Sequence, residues 1–173
     1  MADRRHTLLI VDDEPDVLES LRYLLERQYQ VLTATSAAVA LDHLGQAPGA
    51  VHVILSDQRM PSMTGDEFLA RARQIAPDAI RLMFTGYADI KAVIDAINRA
   101  GIFRYIVKPW EPLELEAILR QAVEQYELLA ERRRLIADLQ EANTRLVRAN
   151  RELADADQLK TAFLEFASHE LNT

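Results

Sequence analysis

Acidic side chains follow two short apolar runs in the first third of the chain. Asp12 and Asp13 come directly after a run of apolar residues, and Asp57 follows the segment VILS. A third run ends in Thr85, and Lys108 follows a fourth. If these runs are parallel strands, their carboxyl ends share one edge of a sheet, where these carboxylates, the hydroxyl and the ammonium group would meet. Clustered carboxylates repel one another unless a cation lies among them, and oxygen ligands without Cys or clustered His suit Mg²⁺.

Such a group of side chains has a specific chemical use. Mg²⁺ together with a lysine neutralises the charge of a phosphoryl group, and a carboxylate in that setting can act as a nucleophile toward phosphorus. Taken singly, Asp12, Asp16 or Asp57 could each be the N-cap of the following helix. Thr85 could belong to an ordinary turn, and Lys108 could be a solvated loop charge. Their joint placement favours the functional interpretation.

The elements that would position these groups are short. Apolar runs typical of strands alternate with segments whose apolar residues recur at helical spacing, such as Leu18, Leu21 and Leu25. The predicted strands cover residues 7–11, 30–35, 51–55, 80–84 and 103–107. Five strands alternating with helices predict an α/β fold with a five-stranded, parallel, doubly wound sheet, because parallel strands need crossover connections.

The chain changes character after Pro112. Every Gly and Pro lies between Pro15 and Pro112, so the remainder is predicted to form one long helix, whose first turns cover the sheet. From about residue 126 a seven-residue repeat begins. Its a positions are Leu129, Ile136, Asn143 and Asn150, and its d positions are Leu139, Leu146 and Leu153. This heptad pattern predicts a parallel coiled coil with a second copy of the chain, a homodimer.

Composition and charge argue against several classes of protein. The chain has 173 residues and no Cys, so it has no disulfide framework and no thiolate metal site. Its histidines are scattered and lack ligand spacing, at His6, His43, His52 and His169. No apolar run approaches the roughly 20 residues of a membrane-spanning helix, and no signal peptide is expected. The net charge of −7 argues against nucleic-acid binding by this chain. We therefore expect a cytoplasmic protein without membrane or nucleic-acid partners.

Four motifs occur along the first part of the chain. They are VDDEP at residues 11–15, SDQRMP at 56–61, FTG at 84–86 and YIVKPW at 105–110. In order and spacing they resemble the receiver domain of two-component response regulators, over about residues 7–125, which implies a flavodoxin-like fold. The resemblance implies that Asp57 accepts a phosphoryl group and that Lys108 pairs with it. Asp12 and Asp13 would organise Mg²⁺ with help from the backbone carbonyl of Arg59.

The same resemblance implies a switch and a partner. Thr85 and Tyr105 would be the switch pair, in which the hydroxyl swings to a phosphoryl oxygen and the aromatic ring fills the space that it leaves. The Lys108–Pro109 peptide bond is commonly cis in this family, which a proline permits at modest cost. A cognate histidine kinase or a phosphotransfer protein would supply the phosphoryl group.

The last residues are a second segment of interest. At most surface positions a neighbouring His and Glu are inert, but here they stand in the segment FLEFASHELNT at residues 163–173. This segment is similar to the phosphoacceptor helix of histidine kinases, in which His169 would carry the phosphoryl group and Glu170 would act as its general base. Asn172 stands where Arg is more usual, and the chain stops where a Pro should follow. We therefore expect a piece of a longer protein, which by itself does not phosphorylate itself from ATP.

These patterns predict three segments. They are a receiver domain at residues 1–125, a parallel dimeric coiled-coil linker at 126–160, and the start of a phosphoacceptor helix at 161–173. The leading interpretation is a hybrid protein in which the receiver regulates a histidine kinase. The main rival is a response regulator whose coiled coil serves another output, such as a transcription factor. A third interpretation is a dimeric scaffold in which phosphorylation is incidental.

Overall fold

The computed structural model describes residues 5–173, apart from the side chains at positions 87, 90–92, 95 and 96. Residues 1–4 of the predicted receiver segment lie outside the described residues. The strands are β1 (Thr7–Val11), β2 (Gln30–Ala34), β3 (Val53–Asp57), β4 (Ile80–Thr85) and β5 (Arg104–Val107). The helices are α1 (Pro15–Leu25), α2 (Ala37–Gln46), α3 (Gly65–Ile75), α4 (Ile90–Ala100) and α5 (Pro112–Leu171), with a 3-10 turn at Tyr87–Asp89.

The observed strands differ from the predicted ones only near their ends. The third strand begins at Val53 instead of residue 51 and runs on through Asp57, because Asp57 still pairs with Phe84 of β4. The fifth strand begins one residue later than predicted, at Arg104, which pairs with Leu82. These limits depend on the pairing of neighbouring strands, which the composition of a single strand does not reveal.

All the strands belong to one parallel sheet in the order β2-β1-β3-β4-β5. Leu8 of β1 lies beside Val31 on one side and Val53 on the other. The predicted α/β fold with a parallel, doubly wound sheet is therefore confirmed. The strand order changes direction between β1 and β3, and the crevice at the carboxyl ends of such strands is where open α/β sheets bind ligands.

Helices cover both faces of the sheet and enclose two separate cores. Leu9 of β1 packs in one core with Phe68 of α3. Leu8, on the opposite face, packs in the other core with Leu21 of α1 and Leu115 of α5. Because helices cover both faces, the central strands β1 and β3 are buried along their whole length.

Helix α5 starts on the sheet, as predicted. Pro112 occupies its first turn, where the missing N–H of a proline has no helical partner to lose. The buried residues of its first turns are Leu115, Ile118, Leu119 and Ala122. The chain forms two compact units, residues 1–130 and residues 131–173.

The second unit, residues 131–173, is helical as far as Leu171. The predicted d-position leucines are 59–70% exposed in this single chain, at Leu139, Leu146 and Leu153. A parallel partner that covers them stays a prediction. None of the described helices is both long enough and apolar enough to span a membrane.

Candidate functional site

Carboxylates from two strand ends meet where the strand order of the sheet changes direction. Asp12 and Asp13 follow β1, and Asp57 is the last residue of β3. One oxygen from each lies within 4.8 Å of the others, and among the described residues this is the one cluster of at least three potential metal ligands. Asp12 and Asp57 are buried, whereas Asp13 is exposed. Hard oxygen donors without nitrogen or sulfur fit Mg²⁺.

Neither buried aspartate caps a helix. The N-cap of α1 is Glu14, and that of α3 is Thr64. Asp12 Oδ1 instead accepts the backbone N–H of Glu14 at 2.9 Å. The N-cap alternative is therefore wrong for Asp12 and Asp57, and Asp16 lies within the first turn of α1.

Lys108 joins the two buried carboxylates. Its Nζ lies 2.9 Å from Asp57 Oδ1 and 3.3 Å from Asp12 Oδ2. The residue follows β5, and its peptide bond to Pro109 is cis, as the resemblance implied. An ammonium group in this position compensates for the mutual repulsion of two carboxylates that burial has removed from water.

Burial and charge change the acidity of both partners. Burial raises the pKa of Asp57, and the hydrogen bond and charge of Lys108 offset only part of that increase. Burial alone would lower the pKa of Lys108, but its hydrogen bond to Asp57 and the charges of Asp57 and Asp12 raise it overall. The lysine therefore stays cationic beside a carboxyl group whose ionised form is costly. A further cation at the cluster would favour that ionised form.

The predicted switch residues lie on adjacent strands. Thr85 pairs with Val107 of β5, and Tyr105 pairs with Met83 of β4. Thr85 is buried, and its Oγ1 donates to the Gly86 carbonyl at 3.2 Å. Tyr105 is 42% exposed. Moving the Thr85 hydroxyl toward the carboxylate cluster would therefore break one local hydrogen bond, which costs only about 1 kcal/mol.

Gln58 and Asp66 fasten the loop that follows β3, a contact that the sequence analysis did not predict. Gln58 Nε2 donates to Asp66 Oδ1 at 2.9 Å, and Gln58 Oε1 accepts the Asp66 backbone N–H at 3.0 Å. Gln58 is buried, and it is the residue directly after Asp57. The only sequence signal was a polar residue beside Asp57 and an acidic residue where α3 was expected to begin.

Arg59 and Asp89 form a second contact that the sequence analysis missed. Arg59 Nε and Nη2 donate to the Asp89 carboxylate at 2.8 and 2.9 Å. Asp89 follows β4, so the pair connects two loops beside the carboxylate cluster. Both residues line a cleft of about 390 Å³ together with Asp13, Asp57 and Lys108. This contact accounts for the side chain of Arg59, and a role for its backbone carbonyl as a metal ligand stays a prediction.

Gly65, the first residue of α3, packs directly against the end of β3. A Cβ atom at this position would lie 2.2 Å from the Asp57 carbonyl oxygen and 2.9 Å from its carbonyl carbon. The Gly65 N–H also donates to the Gln58 carbonyl at 2.9 Å. The start of α3 therefore supports the backbone of Asp57, at a distance that only a glycine permits.

The predicted residues near the end of the chain lie in the second unit. His169 and Glu170 are exposed residues of α5. Thr173 Oγ1 donates to the His169 carbonyl at 2.8 Å. Both side chains are thus accessible to another protein in this single chain, and the roles assigned to them stay predictions.

Comparison with known proteins gives a family and several relatives. A family model described as "Response regulator receiver domain" matches residues 8–120. The chain is similar to the hydrogenase transcriptional regulatory protein HoxA of Cupriavidus necator, with 41% identity over 157 residues that cover 90% of this chain and 32% of that protein. It is also similar to the cyclic di-GMP phosphodiesterase response regulator RpfG of Xanthomonas campestris pv. campestris, with 32% identity over 97% of this chain and 48% of that protein. The chain therefore spans less than half of the length of these relatives.

Solved structures agree with the fold. A crystal structure titled adenylate cyclase from Rhodopirellula baltica superposes with a TM-score of 0.73 and 32% identity, covering 76% of this chain and 97% of that one. The signal receiver domain of an HD domain-containing protein from Pseudomonas fluorescens Pf-5 superposes with a TM-score of 0.70 and 36% identity, covering 76% of this chain and 96% of that one.

Proposed function

This chain belongs to the response regulator receiver family, and on that premise we propose that it accepts a phosphoryl group on Asp57. The donor is a phosphorylated histidine of a cognate kinase or phosphotransfer protein. An oxygen of Asp57 attacks phosphorus, the phosphorus–nitrogen bond of the donor breaks, and the bonding electron pair returns to the imidazole nitrogen. The product is an acyl phosphate on Asp57 and a free histidine on the donor.

The observation that carries this proposal is the contact of Lys108 Nζ with Asp57 Oδ1 at 2.9 Å, next to two further carboxylates. Lys108 favours the ionised, nucleophilic form of Asp57 and is placed to neutralise the phosphoryl group after transfer. Asp12, Asp13 and Asp57, with the Arg59 carbonyl, would hold Mg²⁺, which when bound supplies further neutralisation of the phosphoryl charge.

We propose Thr85 and Tyr105 as the residues that respond to phosphorylation. The Thr85 hydroxyl would leave the Gly86 carbonyl, 3.2 Å away, and donate to a phosphoryl oxygen. Tyr105, which is 42% exposed, would turn its ring toward the space that Thr85 vacates. This rearrangement would alter the surface formed by β5 and the helices beside it.

Mass spectrometry of the chain treated with acetyl phosphate and Mg²⁺ tests the phosphoacceptor. We expect one added phosphoryl group, stable in acid and labile in base, on the peptide that contains Asp57. Asp57→Asn should not be labelled, whereas Asp16→Asn, which changes an exposed aspartate of α1, should be labelled like the wild type. Equal labelling of Asp57→Asn and wild type would overturn the assignment.

We infer two candidate outputs for the whole protein. The names of several relatives favour a regulator of transcription: those of HoxA, of DctD from Pseudomonas aeruginosa and of GlrR from Escherichia coli. The segment at residues 163–173, with His169 exposed on a helix, favours a histidine kinase.

Incubation of the intact protein with ATP distinguishes the two outputs. Phosphohistidine that appears in wild type and is lost in His169→Gln would support the kinase. No phosphohistidine, together with binding to DNA by the intact protein, would support the regulator. The gene sequence beyond codon 173 gives an independent check, since kinase and DNA-binding domains differ in their motifs.

We further propose that the helix from about residue 126 onward pairs in parallel with a second copy. Asn143 and Asn150 fall on the a positions, where they can hydrogen-bond to their equivalents and favour two strands in register. Phosphorylation of Asp57 would then change the distance between the two chains near residue 160, with a coupling free energy of about 1–3 kcal/mol. Spin labels at that position measure it, and an unchanged distance on adding beryllofluoride would contradict the coupling.

A further inference from the structure

The ion pair between Arg59 and Asp89 lies in the wall of the cleft that contains Asp57. The guanidinium donates through Nε and Nη2, which lie 2.8 and 2.9 Å from the two carboxylate oxygens of Asp89. A planar guanidinium binds a phosphoryl group through the same bidentate arrangement with which it binds a carboxylate. Asp89 therefore occupies the donors that Arg59 would offer to a phosphoryl group.

Two cationic side chains are among the described residues that line this cleft, Lys108 and Arg59. Lys108 is engaged with Asp57 at 2.9 Å and with Asp12 at 3.3 Å. The Arg59 side chain is 73% exposed, so it can change its partner without disturbing the core. Its hydrogen bond to Asp89 and the charges of Asp89 and Asp57 raise the pKa of Arg59. Asp57 thus attracts the guanidinium before any phosphoryl group is present.

A phosphoryl group on Asp57 would project into this cleft, because Asp57 is otherwise buried at the end of β3. It would add negative charge and three oxygens that are strong hydrogen-bond acceptors. Lys108, Mg²⁺ and the Thr85 hydroxyl, which are the contacts of the proposed function, leave further acceptor sites on these oxygens. Phosphorylation therefore increases the attraction of Arg59 to position 57 and leaves its attraction to Asp89 unchanged.

Asp89 is also the N-cap residue of α4. Its side chain makes no capping hydrogen bond to this described helix, because both carboxylate oxygens accept from Arg59. The pair thus connects the start of α4 to the loop that follows β3. If Arg59 leaves Asp89, the start of α4 loses this connection.

The opposite end of α4 is held by different contacts. The guanidinium of Arg81, a residue of β4, donates to the carbonyls of Ala100 at 2.8 Å and of Gly101 at 3.2 Å. Gly101 has φ 60°, the left-handed conformation in which many helices end. These contacts lie outside the cleft, so loss of the pair between Arg59 and Asp89 would free only the start of α4.

We propose that Arg59 exchanges Asp89 for the phosphoryl group when Asp57 is phosphorylated, and that this exchange releases the start of α4. The exchange rests on the proposed function, since it needs a phosphoryl group on Asp57. Asp89 is then an internal competitor that holds Arg59 in the unphosphorylated state. Arg59 is a further residue, beside Lys108, that contacts the phosphoryl group.

Beryllofluoride binds to an aspartate carboxylate as a mimic of a phosphoryl group, so its affinity measures the exchange. A titration of the full chain at saturating Mg²⁺, followed by fluorine-19 NMR, gives the bound fraction. Arg59→Gln should weaken binding about fivefold, because a charged hydrogen-bond donor to the anion is lost. Asp89→Asn should tighten binding about threefold, because Arg59 no longer has to leave an ion pair. Changes of opposite sign are expected only if Asp89 and the anion compete for Arg59.

The double variant and two controls make the test specific. Once Arg59 is replaced by Gln, Asp89→Asn should change the affinity by less than about 1.5-fold, since only a screened charge remains to act. Arg71→Gln and Asp42→Asn remove the same charges from exposed positions of α3 and α2 outside the cleft. Both controls should bind beryllofluoride like the wild type. Trp110 fluorescence verifies that each variant is folded.

Amide hydrogen exchange measures the release of α4. Residues 93–96 carry the first amides of α4 that can donate within the helix. Beryllofluoride should speed their exchange about threefold in the wild type and leave residues 99–102 unchanged. In Arg59→Gln, exchange at residues 93–96 should be fast both with and without beryllofluoride.

Two results would overturn the exchange of partners. One is a change of affinity in the same direction in Arg59→Gln and Asp89→Asn, as expected for a fixed structural pair. The other is wild-type exchange at residues 93–96 that beryllofluoride does not alter. A failure of the proposed function would look different, because Asp57→Asn would then bind beryllofluoride as the wild type does.

Discussion

Replacing Gly65 with Ala tests whether the close approach of α3 to β3 positions Asp57. The added Cβ would lie 2.2 Å from the Asp57 carbonyl oxygen, whereas ordinary contacts begin at 3.4 Å. The two segments must therefore separate by about 1.2 Å. Since the contacted atoms are backbone atoms of a buried strand, no side-chain rotation can relieve the clash.

The loss of stability follows from these contacts. Overpacking costs about 1–3 kcal/mol, and weakening the bond from the Gly65 N–H to the Gln58 carbonyl adds about 1 kcal/mol. The better helix propensity of Ala returns about 0.5–1 kcal/mol. We expect the free energy of unfolding to fall by about 1–3.5 kcal/mol. With a urea m value of about 1.5 kcal/mol/M, the unfolding midpoint should fall by about 0.7–2.3 M.

Urea unfolding followed by Trp110 emission measures this change. Trp110 is the one Trp of the chain and stacks on Phe84 of β4 with centroids 4.7 Å apart, so its emission reports on the first unit. Gly45→Ala is the matched control, because its Cβ meets nothing within 4 Å, and it should leave stability unchanged or raise it by up to about 1 kcal/mol. Gly65→Ala should also be labelled by acetyl phosphate at least about tenfold more slowly, since a nucleophile misplaced by about 1 Å costs up to 100-fold. A Gly65→Ala protein with the wild-type midpoint and labelling rate would refute the reasoning.

Four further outcomes are expected. The rate of Asp57 labelling by acetyl phosphate should fall as the pH is lowered, with a midpoint above 3.8, the ordinary pKa of an Asp side chain, because burial raises the pKa of this nucleophile. A midpoint at or below 3.8 would show that burial does not raise this pKa. A raised folded-state pKa means that the ionised carboxylate destabilises the fold above that pKa, so Asp57→Asn should unfold at higher urea than wild type at pH 7 and lose this advantage at acid pH. Gln58→Leu should lower the free energy of unfolding by about 1–2 kcal/mol, because it leaves the Asp66 N–H without its acceptor, and a urea midpoint equal to that of wild type would argue against this contact. Light scattering at micromolar concentration should show that the wild-type chain is a dimer. Simultaneous replacement by Ser of Leu139, Leu146 and Leu153 should convert it to a monomer and leave Trp110 emission unchanged. A monomeric wild type would disprove the coiled coil.

The carboxylate cluster was predictable because its members are tied to strand ends. Asp12, Asp13, Asp57 and Lys108 each lie at the end of an apolar run, and all strands of a parallel sheet end on one edge. The same logic placed Thr85 there. Strand order and helix caps, which decide how these groups approach one another, depend on pairing between distant segments, and the N-cap alternative could be rejected only once Glu14 and Thr64 were seen to cap the helices.

The contacts that could not be predicted from the sequence join residues that are not related by the repeat of a helix or a strand. Gln58 meets Asp66 through the path of a loop, and His6 meets His52 because β1 and β3 are neighbours while β2 lies on the other side of β1. A polar residue in a loop leaves the same trace in the sequence whether its side chain is solvated or paired. These pairs become visible only when the chain is folded.

By itself, the sequence determined the type and order of the strands and helices, because buried apolar residues occur at a different spacing in a strand than in a helix. It also determined that α5 continues beyond the sheet, since no Gly or Pro follows Pro112. Only the tertiary structure decided which side chains form hydrogen bonds or ion pairs with one another. Hydrogen bonds and ion pairs act over about 3 Å, and a distance of that size between remote residues is set by the packing of the whole domain.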